Sequence, residues 1–202
     1  MSLEIVGSKV KVDPLASETK WEEGVPEEVI FHNRQALGDI MMMTCGIRDF
    51  KKAYPNVRVG VRSVAMHMWD NSPHIDHTFN DERKVLKIGP SFLTNKSNMW
   101  NLHFANAFRM DIERKLKIEI PQGPIKPDIW FSQEEFNRPP LIEGPYWTIV
   151  VGGEPGWTAK MYPSERWQEV VSLLKDKIQI VQLGLSGHFE KWPERYSKLE
   201  GS

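Results

Sequence analysis

The chain has 202 residues, 40% of them hydrophobic and 26% charged, and its 26 basic and 27 acidic side chains give a formal net charge of −1. That length carries one substantial core or two small ones, and so balanced a charge excludes a global field steering the protein to nucleic acid. The single cysteine, Cys45, excludes an internal disulfide and a cysteine-pair metal site. The longest apolar run of the second half, Tyr146 to Val151, is too short to span a bilayer. Met1 to Val12 lacks the long apolar run of a secretion signal. These features predict a protein of the reducing cytoplasm with no transmembrane segment.

Residues 1–28 read as an N-terminal extension. Ile5-Val6 and Val10-Lys11-Val12 pair as a small hairpin about Gly7-Ser8, and Pro14 with the charged stretch Glu18 to Glu28 reads as loop. From residue 29 strand and helix alternate. Val29–His32 is a strand. A helix follows over 39–53, with Ile40, Met43, Ile47 and Phe50 at helical spacing and Cys45 on its apolar side as a buried thiol. Tyr54-Pro55-Asn56 stops it, because a residue before proline disfavours the helical region. Val57–Val61 is the second strand, and Ser63 caps a short helix reaching Trp69. Ile75–Phe79 and Val85–Ile88 are further strands, and Gly89–Ser97 is loop. Trp100 to Arg114 is a helix, with Trp100, Phe104, Ala107 and Phe108 on one face.

A proline-rich connector, Pro121 to Pro127, leads to a short strand at Asp128–Phe131. Ser132-Gln133-Glu134-Glu135 then has capping-box spacing for a helical turn. Pro139-Pro140 and Gly144-Pro145 mark a domain crossing, so the reading divides the chain into 29–138 and 139–202. After it come a strand at Trp147–Val151, a glycine-rich loop, a helix over Pro163–Lys175 and a strand at Ile178–Leu183. Two parallel strands and one helix cannot cover both faces of a parallel sheet. The second domain is therefore expected to be incomplete: a fragment, a domain finished by a partner chain or oligomer, or one in which Leu185–Ser202 packs unusually.

Two places carry candidate chemistry. Asp39, after Leu37-Gly38, stands where a strand gives way to a helix. A carboxylate there is most often a helix-start acid satisfying free N–H groups, and less often a general base at the mouth of an open α/β sheet. The lone Gly38 is no dinucleotide fingerprint, which needs three glycines and a downstream acid. The second place is Gly152-Gly153-Glu154-Pro155-Gly156-Trp157-Thr158-Ala159-Lys160. A glycine-rich loop with a hydroxyl and a lysine just before a helix suits phosphate, yet the same pattern serves ordinary turns, and the order is not that of a Walker loop. His74-Ile75-Asp76-His77 makes no metal site, because the spacing sends the histidines to opposite faces of a strand.

Together these segments resemble glycosyltransferase family 9, the heptosyltransferase type. Leu37-Gly38-Asp39, Ile47-Arg48, Tyr54-Pro55-Asn56 and Asn71-Ser72-Pro73-His74-Ile75-Asp76 match its first domain. Thr158-Ala159-Lys160-Met161-Tyr162-Pro163-Ser164-Glu165-Arg166-Trp167 and Gln182-Leu183-Gly184 match its second. Cys45 replaces a usual proline, and the later segment that helps hold the nucleotide is absent. The resemblance implies an α/β, GT-B-like protein: a Rossmann-like acceptor-side domain and an incomplete second Rossmann-like domain. It implies metal-independent, inverting transfer of a sugar from a nucleotide-diphosphate sugar to a glycan or glycolipid acceptor, with no cofactor, in the cytoplasm or peripheral to the inner membrane. Asp39 becomes the base and Lys160 the cation that offsets charge on the departing diphosphate. Thr158, Ala159, Gly153 and Gly184 join the donor site, while Arg34 and Gly38 lie by the acceptor. The alternatives are a GT-B-type nucleotide-sugar epimerase and a non-catalytic nucleotide- or glycan-binding domain.

Overall fold

The computed structural model describes residues 4–5, 8–9, 25–76, 85–152, 162–184 and 199–201. Its contacts divide the chain into a unit of residues 1–137 and one of 138–202. Strands β1 (Glu4–Ile5) and β2 (Ser8–Lys9) pair antiparallel. The hairpin thus forms tighter than the sequence suggests, with Ser8 inside a strand instead of the turn.

The first unit is organised by a parallel sheet of β3 (Glu28–Asn33), β4 (Arg58–Ser63) and β5 (Leu86–Ile88) in the order β4-β3-β5. Helix α1 (Leu37–Ala53) connects β3 to β4. Val29, Phe31, Val59, Val61 and Ile88 alternate onto one face. There they meet Ile40, Met43, Ile47 and Phe50 of α1 in a single core cluster, so the period-2 and period-3.6 patterns join at one surface. Phe31 and Phe50 meet edge to face, with ring centroids 5.5 Å apart. Cys45 is buried outside that cluster, near Arg48, Asp128 and the Lys126 backbone, and burial raises its thiol pKa.

Several further sequence expectations are corrected. Gly89–Ser97 is not loop: it holds α2 (Phe92–Asn95) and a 3-10 turn at Ser97–Met99. The buried Asp111 carboxylate accepts from the N–H groups of Ser91, Leu93 and Thr94 and from the Thr94 hydroxyl. A residue on another helix therefore supplies the cap, which no local pattern announces. Helix α3 (Phe104–Leu116) starts four residues after Trp100, because His103 is its N-cap, Nδ1 accepting from Ala105 N at 3.3 Å. Asp128–Phe131 is not a strand. Asp128 N donates to Thr44 Oγ1 at 2.9 Å, and the Asp128 carboxylate accepts from Arg48 at 2.7 Å, so the segment is strapped to α1.

Another correction concerns Ile75–Phe79, of which residues 77–79 lie outside the described residues. Ile75 and Asp76 are not in a strand. Asp76 instead hooks the β4 edge, its N–H donating to Val59 O and its carboxylate accepting from Val59 N (2.9 Å) and Lys51 Nζ (3.1 Å). Ser63 does not cap the 3-10 helix Met66–Trp69, whose N-cap is Ala65. Its hydroxyl accepts from Ala65 N and Trp69 Nε1. The capping box at Ser132 does form, opening α4 (Gln133–Phe136): Ser132 Oγ accepts from Glu135 N (3.1 Å), and Glu135 Oε2 accepts from Ser132 N (2.8 Å).

The second unit holds β6 (Tyr146–Val150), α5 (Ser164–Leu174) and β7 (Gln179–Leu183), the two strands parallel and in register. Pro163 is the N-cap of α5, one position before the expected first turn. Ile149, Val151, Val171, Ile180 and Leu199 form its core, with Trp167, Leu174 and Ile178 packed against them.

Candidate functional site

The order β4-β3-β5 makes β3 central, with its connection leading to one neighbour and its other neighbour arriving from later in the chain. The carboxyl end of β3 is thus a switch point of an open α/β sheet, where ligands bind. Asn33, Arg34, Gln35, Gly38 and Asp39 all stand there. Helix α1 begins at Leu37, two residues before the expected start, and its N-cap is Ala36, which has no capping side chain. Asp39 supplies what Ala36 lacks: its Oδ2 accepts from Ala36 N at 3.1 Å, while its own N–H donates to Ala36 O at 3.0 Å. The helix-start reading of Asp39 is therefore correct in kind, from the third helical position.

That bond does not exhaust the site. Asp39 remains partly exposed and has a second carboxylate oxygen. Gly38, beside it, is exposed, and a Cβ built there would meet nothing within 4 Å. Packing does not require that glycine. By contrast, a Cβ built on Gly46 would meet Arg109 N and Phe108 Cβ at 3.4–3.5 Å where α1 passes α3. Gly38 leaves bare backbone and free space against the first turn of α1.

The turn also contains polar atoms that sequence reasoning missed. Asn33 is fully buried; its Oδ1 accepts from Gln35 N at 2.8 Å, whereas its Nδ2 has no partner among the described residues. Gln35 Nε2 donates to Asn95 Oδ1 at 3.3 Å, tying the turn to α2, and Gln35 Oε1 is buried without a partner among the described residues. Buried polar groups left unpaired cost about 1–3 kcal/mol each and mark strained or functional places. No side-chain periodicity signals them. Arg34, the remaining residue of the turn, is exposed.

Arg48, part of the Ile47-Arg48 match, is structural. Its guanidinium donates to Asp49 (3.0 Å), Asp128 (2.7 Å) and the carbonyl oxygens of Lys126 (2.9 Å) and Pro124. Asp49 also accepts from Gly123 N at 2.8 Å. His74 packs edge-on to Trp130, and burial lowers its pKa. Among the described residues no three His, Cys, Asp or Glu side chains converge as metal ligands, and no helix is long and apolar enough to cross a membrane.

In the second unit Gly184 is exposed immediately after β7, at a carboxyl strand end. Gly153, Thr158, Ala159 and Lys160 lie outside the described residues, as do Trp157, His77 and His188. A concavity lined by Lys175, Lys177, Gln179 and Gly201 lies at the amino end of β7, the end that open α/β sheets do not use for ligands.

No family model and no curated protein sequence matches the chain. Solved structures do. A family 9 glycosyltransferase from Veillonella parvula superposes with a TM-score of 0.56 at 11% identity, over 90% of this chain and 69% of that one. E. coli heptosyltransferase WaaC with ADP gives 0.50 at 17% identity, over 81% and 70%. The dodecameric, iron-containing glycosyltransferase TibC of enterotoxigenic E. coli gives 0.53 at 16%, over 86% of this chain and 45% of that one. The three superpositions each cover four-fifths or more of this chain. The chain has the GT-B-like fold of the heptosyltransferase-type family 9 glycosyltransferases.

Proposed function

We propose that this protein transfers a sugar from a nucleotide-diphosphate sugar to a glycan or glycolipid acceptor, with inversion and without a metal. The observation that carries this reading is Asp39: a partly exposed carboxylate at the carboxyl end of a central parallel strand, beside a glycine that packing does not require. A TibC structure in complex with ADP-heptose shares the fold, which supports a sugar nucleotide as donor.

Asp39 accepts the proton of the acceptor hydroxyl as that oxygen attacks the anomeric carbon. One carboxylate oxygen is held by Ala36 N–H, which orients the group toward a single use. The bare backbone of Gly38 admits the acceptor to that oxygen, and Arg34 stands at the rim for its anionic groups. On the donor side the reading assigns Lys160, Thr158, Ala159 and Gly153 to the diphosphate, with Gly184 at the neighbouring strand end. The ammonium and the start of α5 offset charge on the leaving group, the work a metal does elsewhere.

A thermal-shift screen of nucleoside diphosphates and their sugars, ADP and ADP-heptose first, tests this reading. A ligand bound only by the folded state raises its melting temperature. Stabilisation by at least one nucleotide sugar that is lost in Lys160→Ala supports it. No shift with any nucleotide sugar at saturating concentration refutes it.

A further inference from the structure

The other face of the first sheet carries a cluster of cations that the transferase reading does not use. Val29, Phe31, Val59, Val61 and Ile88 point to the α1 side, so their neighbours in sequence point away from it. On that second face the register sets Arg62 beside His32 and Lys87 beside Ile30. Directly opposite side chains in a sheet lie about 5 Å apart at Cβ and diagonal ones about 7–8 Å. Gly89 follows β5 at the level of His32. A Cβ on Gly89 would collide with the imidazole, so the ring lies against that glycine's backbone. From α3, Lys115 Nζ donates to Gly89 O at 2.8 Å. An imidazole and an ammonium thus converge on one glycine, with Arg62 one strand away and Lys87 one step along β5.

The electrostatics agree with this arrangement. Burial lowers the His32 pKa, and Lys115, Arg34 and Lys87 each lower it further. Asp111, the carboxylate acting on Lys115, is 2% exposed and engaged with the start of α2. Glu28, at the amino end of β3, is paired with Arg58 at 2.6 Å. His32, Arg34, Arg62 and Lys87 are all exposed to solvent.

We propose that His32, Lys87 and Arg62, with Lys115 behind Gly89, form a binding site for a phosphate group, free or carried on a sugar. Arg62 and Lys87 supply charge from the flanking strands, and His32 strengthens the site when it is protonated. The Gly89 position has to stay bare for the ring to lie where it does. The site stands on the second face of the sheet and does not depend on the transferase reading.

The test is calorimetric titration of the full chain with sulfate, whose charge is constant across the histidine range, against chloride at equal ionic strength. Binding should be saturable and should weaken about three-fold or more as pH rises from roughly 4.5 to 7, because the lowered His32 pKa places its proton loss below the ordinary histidine value. Arg62→Gln with Lys87→Gln should weaken it about ten-fold or more, and His32→Gln should leave binding nearly independent of pH. These are surface substitutions, and unchanged far-UV circular dichroism confirms that each variant is folded. Inorganic phosphate and glucose 1-phosphate then distinguish the source: tighter binding of the ester marks a carried phosphate, and equal binding a free one. Absence of saturable binding overturns the proposal, as does double-variant affinity within about two-fold of wild type.

Discussion

Asp39 has a structural role at the start of α1 and a proposed chemical one, and two substitutions separate them. Asp39→Ala removes the acceptor for Ala36 N–H and the negative charge in the first turn of α1. A first-turn carboxylate contributes about 0.3–1 kcal/mol through the helix dipole. One hydrogen bond to a partly exposed amide adds about as much, so the expected loss is about 1 kcal/mol. For a chain of this size that lowers Tm by about 2–4 °C. Asp39→Asn keeps an oxygen able to accept from Ala36 N–H at the observed 3.1 Å and loses only the charge, so its Tm should fall by roughly half as much. Catalysis should not follow that order. Neither variant can take a proton, so both should lose about 10²–10⁴ in kcat. The assay is nucleotide release from the donor chosen by the ligand screen, alongside thermal melts of the three proteins. If Asp39→Asn keeps activity within about ten-fold of wild type while Asp39→Ala does not, Asp39 is a cap and not a base.

The space around Gly38 predicts that Gly38→Ala stabilises α1, by up to about 0.5–1 kcal/mol in urea unfolding, while reducing activity; a destabilised variant would mean packing needs the glycine. Arg48→Ala strands the buried Asp49 and frees the strap over 124–128, at a cost of about 3–5 kcal/mol by the same assay, and a loss below about 1 kcal/mol would reassign Arg48 to the surface. Cys45, buried with a raised pKa, should react with a thiol reagent only as fast as the first unit opens. Labelling of the native protein at the free-cysteine rate contradicts that burial. The Asp76 pKa is held below its ordinary 3.8, hydrogen bonds from Val59 N–H and Lys51 outweighing the opposing effect of burial. Its contribution to stability is therefore complete above about pH 4 and is lost as pH falls through the lowered value. Asp76→Asn should flatten the acid limb of the stability curve below about pH 4, and an unchanged limb would show that Asp76 is not the group titrating.

The sequence by itself determined the elements whose signal is local. β3, α1, β4 and the second unit's strand-helix-strand are legible because apolar residues at period 2 or 3.6 need only a nearby surface to bury against. Ser132 capped its turn because both partners of the box lie within four residues. The Leu37-Gly38-Asp39 candidate was legible as a candidate only, since a strand end, a glycine and an acid are adjacent in the chain. Tertiary structure decided what depends on residues far apart. Asp111 turned an expected loop into α2 from 17 to 20 positions away, and Arg48 and Thr44 made an expected strand into a strap across some 80. The second face of the sheet belongs to the same class: His32, Arg62, Lys87 and Lys115 look like scattered surface charges until the register β4-β3-β5 sets them side by side. Side-chain periodicity reports which face a residue takes, but not which distant backbone group or charge will meet it there.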